Sequence, residues 1–410
     1  MGKRARILLA GTFIAIAPCG IATSQAAPAT VLNSQVQLGD VFSQQTLNVV
    51  TVSDTTRAIT TATGNGLDTG TERNDLNMRS TQTQSGAVGA DTVTNVAEHA
   101  GASASLTTKA TGNVGDANVF AGTLSGVYHQ TTDGPSVAAH STTAATNAGV
   151  GDLTSSTQAV GNSQGLGISY GAAGVRTTQT NSANVVSEDH SDFAYSSGTA
   201  VVSSGASANN LTLSGVGGSA ERVIASQSSL SNVVQALAFS KLGQAQQVTV
   251  AATTAANTIN AVNNGPLLDA TIRQDNQAYV GAHADISADL YGSASAVAYG
   301  VGNTAVAGDV GGEVIVDNIQ SNSGDGIEVV AHQSGSDGYD GLASATATGN
   351  AVTGYSCSTC SGKLTASIQQ TNETAILSYS TAEANTGRSV TGVSTAVGNT
   401  ATFYISKPNN

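Results

Sequence analysis

Residues 345–352 read ATATGNAV, and near copies of the string stand at 394–401 (STAVGNTA) and at 61–67 (TATGNGL). Each is a run of small and β-branched residues reaching Gly-Asn, which reads as a strand arriving at a turn. The Asn of the Gly-Asn pair falls at Asn65, Asn113, Asn162, Asn303, Asn350 and Asn399, at intervals of 48, 49, 141, 47 and 49. The long interval is three times 47, so two altered copies are expected within it, and Asn210 (in SANN) and Asn257 (in AAN) stand near the required places. A second marker keeps the same period. Seventeen residues beyond Asn65, Asn113, Asn162, Asn210, Asn257 and Asn303 come Gln82, Gln130, Gln179, Gln227, Gln274 and Gln320. After Asn350 the marker is Gln369, two residues late, in a repeat enlarged by CSTC, and counting back 47 from Gln82 reaches Gln35. Residues from about 30 to 405 therefore form one array of roughly 48-residue repeats, the signature of a stacked architecture.

Within a repeat the sequence reads as four short strands: one after Gly-Asn, one carrying the Gln (KLTASIQQTN), one apolar (GIEVVAHQ), and one small and alternating (ASAVAYGVGN). Clusters of Gly, Asn, Asp and Ser separate them. SSLSNVVQALAFSKLG has helical character alone but occupies the slot of the third strand. Three residues before the Asn stands Ala62, Ala110, Ala159, Gly300, Ala347 or Ala396, which predicts one small face; the neighbouring residue is Thr or Val, on the opposite face. Gly-Asn then ends the strand, on the expectation that both residues adopt positive φ at a sharp corner. The expected fold is all-β, a β-solenoid of seven to eight repeats, with the Asn residues at repeat corners and the Gln residues in an amide ladder between turns about 4.8 Å apart. The alternative is a β-propeller, which also uses four strands per unit. Propeller blades pack with bulky aromatics, and this chain has no Trp and only 4% aromatic residues.

Composition agrees with a thin core of small residues. Of 410 residues, 40% are hydrophobic and only 10% charged, against about 25% charged in an ordinary domain. Low charge density and five prolines separate the chain from disordered sequences. Lys3, Arg4 and Arg6 precede the apolar run ILLAGTFIAIA, and Ser24-Gln25-Ala26 resembles a cleavage site, so residues 1–26 are expected to be a signal peptide and 27–410 a single repeat array. Cys19 could suggest lipidation, but the preceding Pro18 fits such a site poorly. Loss of the signal leaves 11 basic against 27 acidic side chains, which argues against nucleic acid as a partner. No later stretch is apolar enough for a transmembrane helix.

Chemistry is sparse. Cys357 and Cys360 suggest a small disulfide clipping an enlarged turn; a redox or zinc site would need a helix start or further ligands. His99, His140, His283 and His332 follow Val at V-x-x-H spacing, and His190 lies in the same strand region. Solvated strand residues, a pH-sensitive face and metal binding all remain open readings of them. Asp325, Asp337 and Asp340 fit turn chemistry better than any calcium loop. No facing carboxylates, nucleophile triad or phosphate loop stands out, so no catalytic residue and no cofactor is expected.

The signal segment, the Thr, Ala, Gly, Ser and Asn-rich repeats, and the strings ATGN and IQQTN resemble the holdfast attachment protein D family, HfaD, of stalked alphaproteobacteria. That resemblance implies a surface protein associated with the outer membrane. It also implies work with envelope anchor proteins, a lipoprotein among them, and a fibre-forming subunit to hold an extracellular adhesive polysaccharide on the cell. The competing class is an exported β-helix enzyme acting on carbohydrate. The expected assembly mode is end-on docking through the edge at residues 30–50 or through TATFYIS onto a partner in the cell envelope, a fibre subunit of similar strand chemistry, the alternative being a monomer with frayed ends.

Overall fold

Runs such as LLDATIRQDN alternate buried and half-buried positions along their whole length, as a strand with one covered face must. The computed structural model describes residues 27–357 and 362–406, and every sheet ladder in it is parallel. One face stacks eight strands in the order β1 (Ala29–Gln37), β4 (Leu76–Gln84), β7 (Thr123–Thr132), β10 (Ala172–Asn181), β12 (Ala220–Ser229), β14 (Leu267–Asn276), β16 (Glu313–Asn322) and β18 (Lys363–Asn372). A second face stacks β2 (Val41–Thr51), β5 (Val88–His99) and β8 (Ser136–Val150); a third stacks β3 (Thr55–Glu72), β6 (Ser103–Phe120) and β9 (Asp152–Ser169). The second and third faces then run together in the long elements β11 (Asn184–Val216), β13 (Val233–Asn263), β15 (Tyr279–Asp309) and β17 (Ile327–Cys357). They separate again as β19 (Ile376–Thr386) and β20 (Ser389–Ser406).

The fold is a β-solenoid of eight turns. Each strand pairs with its counterpart one turn away, as Gln82 with Gln130 and Asn303 with Asn350, rather than with its neighbour in sequence. That pattern excludes a propeller, whose blades are closed locally as antiparallel sheets. SSLSNVVQALAFSKLG lies across the start of β13 and is extended from Val233 onward. Pairing overrides its local helical character because each residue gains a ladder on both sides.

The number of strands per repeat is corrected from four to three. The segments before and after Gly-Asn are one continuous strand, because pairing resumes at once beyond the Gly: Thr111 pairs with Val160, and Asn113 with Asn162. What changes there is direction. Ala110, Thr111, Gly112 and Asn113 are all buried in succession, so alternation is interrupted and the strand bends inward. Thr111, Val160 and Val301 accordingly point inward with their small neighbours instead of facing the opposite side.

Two cores lie on either side of this bend. Between the second and third faces the lining is mainly Ala and Val, including a β-branched column from Val41 through Val88, Val137 and Val234 to Ile327 and Ile376. Between the first face and the part of the third strand beyond the bend the lining is larger, with Leu124, Leu211, Ile259 and Leu268. Stacked Ala and Val allow the walls of the first core to approach closely, which explains how a chain with few aromatics buries a continuous interior.

Candidate functional site

The Asn at each bend and the Gln of the first face meet at the waist between the two cores. Gln130 donates from Nε2 to Gln82 Oε1 at 2.9 Å and to the Ser163 carbonyl at 2.9 Å. Asn113 donates from Nδ2 to Asn162 Oδ1 at 2.8 Å and to the Thr131 carbonyl at 2.8 Å. The pattern repeats from turn to turn. Gln82, Gln179, Gln227, Gln274 and Gln320 each donate to the Gln one turn earlier, beginning at Gln35. Asn65, Asn162, Asn209, Asn257, Asn303 and Asn350 each donate to the Asn one turn later, ending at Asn399. Each amide thus uses one N–H along the stack and one across it, and the two columns staple the first face to the third along the solenoid. Leaving such buried groups unpaired would be costly, so the columns fix the register of successive turns.

Two residues of these columns differ from the count made in sequence. Asn209, not Asn210, occupies the bend in its turn; Asn210 is the following residue, and its carbonyl accepts from Gln179. Gln370, not Gln369, continues the Gln column by donating to Gln320 Oε1, while Gln369 faces outward. In both cases the neighbouring residue has the same side-chain chemistry, and only pairing register decides which faces inward.

The reason for Gly before the Asn is also corrected. Among the described residues positive φ occurs at Arg73, Gly101, Ala121, Tyr170, Gly217, Gly218 and Gly326, and at none of the Gly-Asn pairs. Space is the constraint. A Cβ on Gly349 would lie 2.3 Å from the Gly398 carbonyl oxygen and 2.6 Å from Asn372 Oδ1, and one on Gly161 would lie 2.5 Å from the Ala208 carbonyl oxygen. The left-handed corner lies elsewhere: Arg73, Ala121, Tyr170 and Gly217 follow the third strand in successive turns, and three of these four are not Gly.

Five of the six histidines, His99, His140, His190, His283 and His332, sit on the outer side of the second face or at its end, and His129 lies on β7 of the first face. His140 and Glu188 are adjacent across a ladder with a 3.5 Å ion-pair distance, and Asp285 lies 3.2 Å from His332 and 3.9 Å from His283. Burial holds His283 below its usual range, opposed by Asp285 and reinforced by His332. Phe239 lies between His190 and His283, with an edge-on contact to the latter. His99 Nδ1 accepts from the Gly101 amide at 2.9 Å. No group of three or more His, Cys, Asp or Glu among the described residues is arranged to hold a metal ion. Asp337 accepts from Thr386, and Asp340 pairs with Arg388. Cys357 ends β17, while Cys360 lies outside the described residues, as do residues 1–26.

Sequence reading missed three buried carboxyl groups, Asp189, Glu221 and Asp309. Asp189 is enclosed on an inward column and accepts from Ser155 at 2.7 and 2.8 Å and from Thr157 at 3.0 Å; burial, partly offset by these donors, raises its pKa to about 7. Glu221 occupies a column otherwise filled by Leu, Ala and Val, and burial with the nearby Asp309 charge raises it to about 8. Strand alternation from Val185 would have placed Asp189 inside. At the corner between the second and third faces, Tyr195, Gln244, Leu290, Asp337, Tyr339 and Thr386 border an open groove of 610 Å³. Tyr195 and Tyr339 are 40% and 65% exposed there, so aromatic faces stand open to solvent beside polar groups.

These features define a class: a parallel β-solenoid of eight stacked turns held by internal amide columns. A family model described as Holdfast attachment protein D matches residues 50–326, the body of that solenoid, and the chain belongs to the HfaD family. It is 44% identical over 69 residues to Holdfast attachment protein D of Caulobacter vibrioides, a stretch covering 17% of this chain and 23% of that relative. No solved structure matches the chain. No helix of the described residues is long and apolar enough to cross a membrane.

Proposed function

We propose that the protein is a non-enzymatic component of holdfast attachment at the cell surface, anchoring adhesive polysaccharide to the envelope through the outer faces of its solenoid. The observation that carries this reading is the family match, which spans the repeating body of the coil. In this reading residues 1–26 direct export and are removed, residues 27–410 act as one array at the outer membrane, and the chain works with envelope anchor proteins and a fibre-forming subunit. The physical support is the form of the surface. Eight stacked turns repeat side chains at regular intervals, which suits a polymer or a fibre better than a compact small molecule.

Deletion of the gene followed by a surface-attachment assay tests the proposal. Cells that shed intact adhesive material into the medium support an anchor. Cells that retain their material but change its polymer length support the enzymatic alternative and overturn the anchor.

A further inference from the structure

Where the third face turns into the first, the core between them ends in a polar corner, and one carboxyl group there stands without a partner. Glu221 is 1% exposed, yet neither of its carboxyl oxygens takes part in a hydrogen bond. Among the described residues no basic side chain forms an ion pair with Glu221 or with the buried Asp309. Arg222, the next residue, is turned outward and pairs with Asp269. The ladders show that this corner is particular to its place in the stack. Ala173 and Leu268 flank Glu221 in its own column, and Ile168 precedes Gly215 in the facing one. With Gly215 in that position there is room for the Glu221 side chain. A Cβ on Gly215 would lie 2.1 Å from Glu221 Oε1, 2.2 Å from Asn263 Oδ1 and 2.4 Å from Ser219 Oγ, so three oxygens crowd round one spot.

We propose that this corner is a binding site for a hard divalent cation of the calcium class, with Glu221 Oε1, Asn263 Oδ1 and Ser219 Oγ as ligands and Asp309 as the neighbouring charge. The surrounding hydrogen bonds hold the donors in place. Ser219 donates from Oγ to Asn263 Oδ1 at 2.6 Å, and Asn263 donates from Nδ2 to the Ser219 carbonyl at 2.9 Å and to Asp309 Oδ2 at 3.1 Å. The Gly265 amide donates to Asp309 Oδ1 at 3.2 Å. Asp309 is thus satisfied by donors, and Glu221 is not. A carbonyl or hydroxyl oxygen has two lone pairs, so Asn263 Oδ1 and Ser219 Oγ each keep one free after the bond between them. The donor set is all oxygen, two of its groups are carboxylic and the others neutral, which suits calcium rather than a softer metal. The two charges of such an ion match those of Glu221 and Asp309, and they supply the positive partner that a buried carboxylate requires. In the chain without the ion a proton neutralises Glu221, and the ion takes its place. Bound there, the ion ties the start of β12 to the end of β13 and faces the end of β15. This inference does not rest on the anchoring reading.

Titration calorimetry of calcium chloride into the exported full chain, first freed of metal with a chelator, tests it together with thermal unfolding. The wild-type chain is expected to bind calcium and to unfold at a higher midpoint in calcium than in chelator. E221Q keeps the shape of the side chain and loses its charge, and is expected to weaken calcium binding about a hundredfold; D309N and S219A, which leave Glu221 in place, are expected to weaken it about tenfold each. Circular dichroism checks that each variant keeps its strand content, so that lost binding is not mistaken for a lost fold. A wild-type chain with neither a heat of binding nor a shifted midpoint in millimolar calcium overturns the proposal. So does unchanged calcium affinity in folded E221Q or, if that variant fails to fold, in both D309N and S219A, since the ion would then sit elsewhere.

Discussion

A single methyl group separates the two kinds of bend in this solenoid. Six of the eight bends carry Gly before the Asn, while Ala208 and Ala256 hold that place in the turns of Asn209 and Asn257 and are fully buried. At Gly349 the added Cβ would meet a backbone oxygen, which cannot rotate away. Gly349→Ala is therefore expected to lower stability by about 1–3 kcal/mol, read as a drop in the thermal unfolding midpoint. Ala256→Gly, which adds only backbone freedom, is expected to cost about 1 kcal/mol or less. The amide columns permit a second test. Gln274→Leu removes the donor to Gln227 and Thr304 and the acceptor for Gln320, and is expected to cost about 1–3 kcal/mol. Because the partners act in one column, Gln274→Leu combined with Gln320→Leu is expected to cost less than the two single changes added together. Strict additivity in denaturant titrations would count against a coupled column.

Among the elements, β11 carries the least usual interior. Its Asp189 sits on an inward column and accepts hydroxyl hydrogen bonds from Ser155 and Thr157 of β9 and, at 3.4 Å, from Ser191 on its own strand. The folded-state pKa of about 7 exceeds the ordinary value of 3.8, so the folded chain holds this proton more tightly than the unfolded one. The associated stability is fully present below about pH 4 and is lost as pH rises towards and through 7. Glu221 on β12 acts in the same sense over a window that reaches about pH 8. The thermal midpoint of the wild-type chain is therefore expected to fall between pH 5 and pH 8. Asp189→Asn, which removes the charge but keeps hydrogen-bonding capacity, is expected to reduce that fall. An identical pH profile in the variant would show that Asp189 is not the titrating group.

For the whole molecule, the decisive property is that turns are interchangeable. Leu267 pairs with Glu313 and Tyr279 pairs with Val233, so excising residues 267–312 removes one whole turn and brings equivalent columns together. That deletion is expected to retain the strand-dominated circular dichroism spectrum and a cooperative unfolding transition, because contacts are made between neighbouring turns only. Excising 267–289 removes half a turn and sets first-face residues against second-face columns. It is expected to yield an aggregated or largely unfolded chain. Equal tolerance of both deletions, judged by spectrum and solubility, would contradict a solenoid whose columns carry its register.

Sequence alone determined the period, the strand-rich class, the preference for a solenoid, and the two amide markers, because a stack repeats its chemistry at every turn and the repetition survives in the one-dimensional string. Gln35 and Asn257 were legible in this way although their local strings had changed. Register was not legible wherever two equivalent side chains are adjacent. Asn209 with Asn210 and Gln369 with Gln370 are chemically alike, and only the ladder on each side selects the inward member. The cause of the Gly at the bends was also hidden, because a close approach involves a carbonyl a full turn away in sequence. The same holds for the merging of two expected strands into one, for Asp189 meeting Ser155 from another strand, and for the opposite directions of the two amide columns. A sequence records which groups recur, whereas the direction in which each donates, and therefore the difference between the two ends of the solenoid, is fixed only when the turns are stacked in space.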